Sequence, residues 1–142
     1  MKVKLEIPNY FHFETSLTIR VSDLNYGGHL GNDSFLTLVH EARVRYLKSI
    51  NMTERDFFGS SLIMADSIIK YKSQGFLGDQ VNIKLSITNC SSHGFKIFYL
   101  LQKNKIDLAY IQTSMVFYDY EKEKINPFPN DFKIYLQNHK LI

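Results

Sequence analysis

Residues 22–33 read SDLNYGGHLGND, and an apolar-periodic run follows them directly. Apolar side chains in that run recur every three or four positions, which predicts a helix from about Asp33 to Ile50 with Asn32 or Asp33 as its N-cap. A glycine-rich loop that opens into a helix brings free backbone N–H groups and the positive end of the helix dipole to one place. The stretch therefore predicts a site that stabilises negative charge.

Segments with the alternating pattern of strands flank this helix. The first is Phe13–Val21, and four more follow the helix: Leu62–Tyr71, Asp79–Cys90, Phe95–Lys103 and Leu108–Tyr120. A single helical turn is expected at Thr53–Phe57, and a short terminal helix at Phe132–Asn138. This order predicts an α+β fold in which a curved, mostly antiparallel sheet covers one long helix.

The composition is that of one packed domain spanning residues 1–142. The chain is 44% hydrophobic and 14% aromatic, and no linker or repeat divides it. Its net charge of +3 comes from basic residues scattered along the chain, whereas a nucleic-acid-binding protein usually clusters them, so we expect no nucleic-acid partner. Without a signal-peptide core or a membrane-spanning segment, the protein is expected to be cytoplasmic.

Cysteine and histidine spacing argues against a metal centre. Cys90 is the only cysteine, so neither an intramolecular disulfide nor a thiolate cluster can form, and a buried, inert thiol is expected there. No histidine pair has the spacing of a zinc-binding helix. We expect neither a metal ion nor a cofactor.

The loop and helix together resemble the acyl-CoA thioesterases of the hotdog fold, in the branch similar to 4-hydroxybenzoyl-CoA thioesterase. The branch pattern Arg-x-x-Asp-x-Asp-x-x-Gly-His-Val-x-Asn-x-x-Tyr, followed by Glu-Ala-Arg, is matched by Arg20, Asp23, Asn25, Gly28-His29-Leu30, Asn32, Phe35 and Glu41-Ala42-Arg43. A weaker likeness continues to Pro127 and Pro129. The resemblance implies the hotdog fold, hydrolysis of a thioester of CoA or of an acyl-carrier protein, and a homodimer or homotetramer with sites between subunits.

One position departs from the family pattern. The second aspartate, which is the nucleophile or general base in many members, is replaced by Asn25. An amide takes up no proton near neutral pH and forms no acyl anhydride. A thioesterase with this sequence must therefore take its carboxylate from elsewhere.

Glu41 is the leading carboxylate. In other hotdog branches an acidic residue at a comparable place on the central helix acts as nucleophile or base, which the resemblance extends to Glu41. The alternative is a structural ion pair with Arg45, four residues further on, or a network with Arg43. Asp23 is expected to hold the loop through backbone N–H groups, and it is the fallback base if Glu41 is buried and paired.

The remaining candidates orient the substrate. Asn25 is expected to position water or the thioester carbonyl, or to shape the loop through an Asx-turn. His29 is expected to hydrogen-bond the carbonyl or the leaving thiolate, or else to cap a backbone group. Asn32 matches the family position whose backbone N–H polarises the carbonyl, and its side chain is suited to N-capping.

Two alternatives to hydrolysis stay open. Asn25 is consistent with a hotdog protein that binds acyl-CoA without cleaving it, and a hotdog dehydratase or hydratase is a further, less similar branch.

Arg20, Lys70 and Lys72 are cations that suit CoA phosphates or a solvated surface equally well. The acyl group is expected to enter a tunnel lined by residues such as Phe57, Phe58 and Leu62 together with a partner subunit.

Overall fold

A computed structural model describes residues 3–141 and contains one antiparallel sheet around one long helix. The strands are β1 (Phe13–Thr18), β2 (Ser61–Tyr71), β3 (Gln80–Thr88), β4 (Gly94–Lys103), β5 (Ile106–Asp119) and β6 (Lys124–Ile125), and the helices are α1 (Ser34–Ser49) and α2 (Asn130–Asn138). The order across the sheet is β1-β3-β4-β5-β2, with β6 paired to β5. The predicted α+β architecture is confirmed.

Helix α1 is buried along the stripe that its apolar periodicity predicts. Its buried apolar side chains belong to the same core cluster as the buried side chains of the sheet, and they are Phe35, Leu38, Val39, Ala42, Tyr46 and Leu47. The helix begins next to the loop 24–31, so the sheet that wraps α1 also fixes where the loop meets the helix N-terminus. The N-cap is Asp33, which is one of the two predicted residues, but its side chain makes no capping hydrogen bond.

Two local predictions are wrong, namely the end of the first strand and the helical turn after α1. Strand β1 ends at Thr18, because a 3₁₀ turn at Val21–Asp23 follows and leaves Val21 exposed. Residues 53–57 form no helical turn; instead the N–H of Thr53 donates to the carbonyl of Asp56 at 3.1 Å, which closes a local bend.

Cys90 lies beyond the end of β3, and it is exposed. The prediction of a buried thiol within a strand is therefore wrong. The reason is that β3 stops at Thr88 and Asn89 takes a positive φ of 46°, which turns the chain out of the sheet before the cysteine.

A cluster of aromatic rings fills the end of the sheet covered by α2. The Phe57 ring lies 4.8 Å from Phe58 and 4.7 Å from Phe132, centroid to centroid, and Phe57 is 0% exposed while Leu62 is 5% exposed. Close-packed rings leave no channel between them. The prediction that Phe57 and Leu62 line an acyl tunnel is wrong, since both belong to the core.

Candidate active site

The side chain of Asn25 holds the glycine-rich loop in shape. Its Oδ1 accepts hydrogen bonds from the N–H of Gly27 at 2.9 Å and of His29 at 3.2 Å. The Asn25 N–H donates to the His29 carbonyl at 2.8 Å, and Gly28 takes a φ of 79°, which favours glycine. The expected Asx-turn is thus present, and the Asn25 Nδ2 group has no hydrogen-bond partner among residues 3–141.

Asp23 fastens the start of the loop. Its Oδ2 accepts from the Arg20 backbone N–H at 2.8 Å, its Oδ1 accepts from the Arg20 guanidinium at 3.2 Å, and its own carbonyl accepts from the Gly31 N–H at 3.0 Å. Burial acts to raise the pKa of Asp23, but the hydrogen bonds from Arg20 outweigh it, so the pKa is lowered. Asp23 is therefore ionised at neutral pH, with its oxygens engaged in holding the loop.

His29, within the glycine-rich loop, packs its ring against an aromatic ring from the segment between β2 and β3. Its imidazole centroid is 5.0 Å from that of Phe76, and the two residues also form an antiparallel backbone bridge. The ring atom Nδ1 is buried and has no hydrogen-bond partner among the described residues. A buried nitrogen without a partner is unusual, and here it leaves the imidazole with one unused hydrogen-bonding position.

The Asn32 backbone stands at the N-terminal end of α1. Its carbonyl accepts a hydrogen bond from the Tyr71 hydroxyl at 3.0 Å, which ties β2 to the helix start. Its N–H donates to no group among residues 3–141, and the residue is exposed. The Asn32 side chain makes no capping bond either, so the expected N-capping role is not observed. What remains is an exposed amide donor beside the helix dipole.

Glu41 faces a groove along the outer side of α1 that we call the α1 groove. The groove has a volume of about 560 Å³, and its lining includes Leu17, Arg20, Thr37, His40, Glu41 and Arg45. The Glu41 side chain is 51% exposed, and its Oε2 accepts from Arg45 Nε at 3.0 Å. The ion pair with Arg45 that the spacing predicts is present, while Arg43 is engaged elsewhere.

Arg45 also reaches the outer edge of β1. Its guanidinium donates to the Thr15 hydroxyl at 2.8 Å and to the Ser16 backbone carbonyl at 3.0 Å. The pairing with Glu41 is therefore one side of a bridge between α1 and β1, which fixes the direction of the Glu41 carboxylate in the groove.

A further pair of groups lies beside Glu41, and the sequence analysis did not single it out. His40 Nε2 is 2.7 Å from Glu54 Oε1, and Glu54 Oε2 accepts from Arg43 Nε at 2.9 Å. Residues 40 and 54 are separated by the end of α1 and an irregular segment, so no helical or strand spacing connects them. The Glu-Ala-Arg motif marked Arg43 but gave no sign of its partner.

Two of the three cations considered for CoA phosphates, Arg20 and Lys72, have partners within the chain. Arg20 pairs with Asp23, and Lys72 lies over the Tyr110 ring at 5.4 Å. Among residues 3–141, no three His, Cys, Asp or Glu side chains are arranged to hold a metal ion. Within the same residues, no helix is long and apolar enough to span a membrane.

Known proteins share this fold over most of its length. The chain is 24% identical over 129 residues to a 1,4-dihydroxy-2-naphthoyl-CoA hydrolase of Synechococcus elongatus, and the match covers 88% of this chain and 95% of that protein. A 1,4-dihydroxy-2-naphthoyl-CoA thioesterase from Synechocystis is similar with a TM-score of 0.76 at 24% identity, covering 85% of this chain and 92% of the other. A Staphylococcus aureus protein in complex with CoA is similar with a TM-score of 0.79 at 16% identity, covering 94% and 87%.

The structural similarities confirm the predicted hotdog fold, a curved antiparallel sheet around a central helix. Residues 19–136, which include the loop, α1 and nearly all of the sheet, match the family model described as the thioesterase-like superfamily. The prediction of a hotdog-fold thioester hydrolase is thereby confirmed at the level of the family. The chain belongs to the thioesterase-like superfamily.

Proposed function

We propose that this protein hydrolyses an acyl-CoA thioester, or the equivalent thioester of an acyl-carrier protein, to a free acid and a thiol. The observation that carries the proposal is the backbone N–H of Asn32 just before α1, which belongs to an exposed residue and has no hydrogen-bond partner among residues 3–141. The thioester carbonyl oxygen accepts from this N–H, and negative charge that develops on the oxygen is stabilised there by the helix dipole. His29 and Asn25 orient the reacting groups from the adjoining loop.

Beyond this amide donor, thioester hydrolysis requires only a carboxylate and a leaving group that departs without a strong acid. A donor aimed at the developing oxyanion typically contributes about 3 kcal/mol at the transition state. A thiol has a pKa near 8.5, so its thiolate leaves without a strong acid, roughly as thiols do in solution. Glu41 supplies the carboxylate that attacks the carbonyl carbon or activates water.

The reacting groups come from two copies of the chain. Glu41 follows Asn32 by nine positions, which corresponds to about 13 Å along a helix. A glutamate side chain does not reach back over that distance, so Glu41 and the Asn32 N–H of one copy cannot contact the same carbonyl. A second copy with its α1 antiparallel to the first places Glu41 of one beside Asn32 of the other.

The free edge of β2 supports this assembly. Strand β2 ends the sheet order next to β5, and its eleven residues have a strand on one side only among residues 3–141. An edge of this length readily pairs with another strand. We therefore propose a homodimer joined through β2, with further pairing to a tetramer, and a cytoplasmic location belongs to the same proposal.

The proposal is tested by the release of free thiol from short, long and aromatic acyl-CoA substrates. Asn32→Pro removes the amide donor at the second position of the turn that the Ser34 N–H closes on the Gly31 carbonyl, where proline is tolerated, whereas Asn32→Ala keeps the donor. We expect the proline variant to lose on the order of 10²-fold in turnover and the alanine variant to lose little. Equal activity of the two folded variants would show that the amide is not the carbonyl site.

A mixing experiment tests the two-copy site. Glu41→Gln should abolish turnover, and Glu121→Gln, on an exposed turn, is its matched control. When Asn32→Pro and Glu41→Gln are unfolded together and refolded, the mixed dimer contains one site with both groups intact. Recovery to about a quarter of the wild-type rate is expected for statistical mixing, and a mixture as inactive as its components would refute the shared site.

A second candidate function is binding of acyl-CoA without cleavage. Asn25 favours it, because the family carboxylate is absent from the loop and the amide that replaces it is engaged in the turn. This function predicts no thiol release from any substrate while CoA ligands still raise the melting temperature. In that case Glu41→Gln would leave ligand binding nearly unchanged.

A further inference from the structure

A chain of hydrogen bonds crosses the molecule from the sheet interior to the outer face of α1. The Tyr99 hydroxyl is 3.1 Å from Thr113 Oγ1 and accepts a hydrogen bond from Arg43 Nη1 at 3.0 Å. Arg43 Nε in turn donates to Glu54 at 2.9 Å, and the other Glu54 oxygen is 2.7 Å from His40 Nε2. The chain therefore ends on an imidazole.

The exposed fraction of the residues rises steeply from the inner to the outer end of this chain of hydrogen bonds. Tyr99 and Thr113 are 0% exposed and Arg43 is 5% exposed, whereas the His40 side chain is 56% exposed. A guanidinium this deeply buried needs a carboxylate, and Glu54 is the one in contact with Arg43. Arg43 is itself fixed by Tyr99, so Glu54 is held in one position and presents its second oxygen to His40.

Charge and hydrogen bonding set the state of the imidazole. Burial acts to raise the pKa of Glu54, but hydrogen bonds from His40 and Arg43 outweigh it and lower the pKa, so Glu54 is a carboxylate at neutral pH. In a neutral imidazole, a carboxylate at Nε2 selects the tautomer with the hydrogen on that atom. The other nitrogen, Nδ1, then carries a free lone pair, and it has no hydrogen-bond partner among residues 3–141.

His40 is placed where substrate would lie. It lines the α1 groove together with Glu41. It also lines a smaller groove of about 250 Å³ between α1 and the free edge of β2, whose lining includes Leu36, Thr37 and Met64. The imidazole thus stands beside the proposed nucleophile and at the edge through which we propose that the second copy joins.

We propose that His40, oriented by Glu54, is the general base that activates water in this reaction, a role that rests on the proposed thioesterase function. Glu41 first attacks the thioester carbonyl carbon, the C–S bond breaks, and the thiolate leaves and takes a proton from solvent. His40 Nδ1 then takes a proton from water, and the oxygen attacks the acyl carbon of the anhydride. The bond to Glu41 breaks and frees the Glu41 carboxylate, the carboxylic acid product loses its remaining proton to solvent and leaves as its anion, and His40 returns its own proton to solvent.

This division of labour replaces what Asn25 cannot do. An aspartate at position 25 would provide a carboxylate within the loop that leads into α1, and here the two steps fall to two neighbouring residues of α1, Glu41 and His40. His40 and Glu41 are both catalytic residues, while Glu54 and Arg43 act through His40 as positioning residues. The charged groups around His40 are Glu54 in direct contact, Arg43 behind Glu54, and Glu41, Arg45 and Arg20, which line the α1 groove with it.

Rapid-quench measurement of thiol release separates the two steps. We expect His40→Gln to release one thiol per site in a rapid burst and then turn over at least 10²-fold more slowly than wild type, the usual effect of losing a general base. Glu41→Gln should give no burst. His139→Gln, which alters an exposed histidine at the end of α2, is the matched control and should behave as wild type.

Two further readouts distinguish catalysis from support of the fold. Turnover of His40→Ala should be restored in part by imidazole in the buffer, because a free base then enters the groove. Glu54→Gln should keep the burst of thiol release and slow the turnover after it, because Glu54 acts only by orienting His40. A wild-type enzyme that turns over while His40→Gln matches it would overturn this inference alone, whereas a wild type that releases no thiol would overturn the proposed function itself.

Discussion

Asn25 replaces the second aspartate of the family pattern that the loop resembles, and its Oδ1 accepts two backbone hydrogen bonds that shape the loop. An aspartate has an oxygen in the same place and can accept both bonds. The loop can therefore keep the same shape with either residue. Replacing aspartate by asparagine removes the carboxylate and leaves the hydrogen bonds of the loop in place.

Substitutions at Asn25 should separate shape from chemistry. We expect Asn25→Asp to keep the melting temperature and to restore turnover to Glu41→Gln, because it returns a carboxylate to the loop. Asn25→Ala should lower the stability by about 1 kcal/mol, the usual net contribution of a lost hydrogen bond, and reduce turnover. Thermal melts and thiol release test both, and an Asp variant that fails to rescue Glu41→Gln would show that the loop no longer presents a carboxylate to the substrate.

His12 gives the stability a dependence on pH. Its ring lies 5.6 Å from Tyr46, its Nε2 accepts from the Ile87 N–H at 3.3 Å, and burial lowers its pKa to about 4. The unfolded chain, with an ordinary pKa near 6.5, takes up the proton first as the pH falls. Stability is therefore complete above about pH 6.5 and is lost progressively between there and about pH 4.

Denaturant melts from pH 7 to pH 4 test this for wild type and His12→Gln, whose amide oxygen can still accept from Ile87. We expect the wild type to lose up to about 3 kcal/mol more than the variant across this range. Asp23 and Glu54, whose pKa values are also lowered, lose their contributions in both proteins, so the difference isolates His12. Parallel curves for the two proteins would contradict the assignment.

Single residues also show where sequence reasoning ends. The Asx-turn of Asn25 and the ion pair of Glu41 with Arg45 follow from local spacing, and the structure contains both. The contact between His40 and Glu54 joins residues fourteen positions apart. No periodicity determines how the irregular segment after α1 folds back, so a contact of this kind depends on the tertiary structure.

At the scale of elements, periodicity predicts interiors better than ends. Helix α1 and the long strands lie where the sequence predicts them, because their apolar faces have to be buried. The end of β1 depends instead on the local bonds between Arg20 and Asp23 that start the 3₁₀ turn. Helix α2 begins at Asn130, two residues before its predicted start, and its role in closing the aromatic cluster was not apparent from the sequence.

Helix α2 is expected to hold the aromatic end of the core through one ring. Phe132 is 0% exposed, and its ring lies within 5.1 Å of Phe58, Phe95 and Phe128. We expect Phe132→Ala to lower the free energy of unfolding by about 3–5 kcal/mol. Ile134 on the same helix is 43% exposed, and Ile134→Ala should change it by at most about 0.5 kcal/mol. Chemical denaturation measures both, and similar losses would mean that α2 is not anchored by its inner face.

At the scale of the whole molecule, the strand order matters most. The order β1-β3-β4-β5-β2 places the strand that directly follows α1 at the far edge of the sheet. Alternation within a strand identifies its buried face but not its neighbours, so the sequence predicted the sheet without its order. The order is what leaves β2 with a free edge.

The bond from Arg45 to the Ser16 carbonyl has a consequence for how far assembly can proceed. A sheet with two open edges adds copies at both ends and grows into a fibre, whereas a sheet with one blocked edge stops after a single symmetric pairing. Arg45→Ala should therefore give a concentration-dependent ladder of larger species in light scattering, while Lys48→Ala on the same helix should not. On this prediction, Arg45 limits the edge-to-edge growth of the sheet to a single pairing.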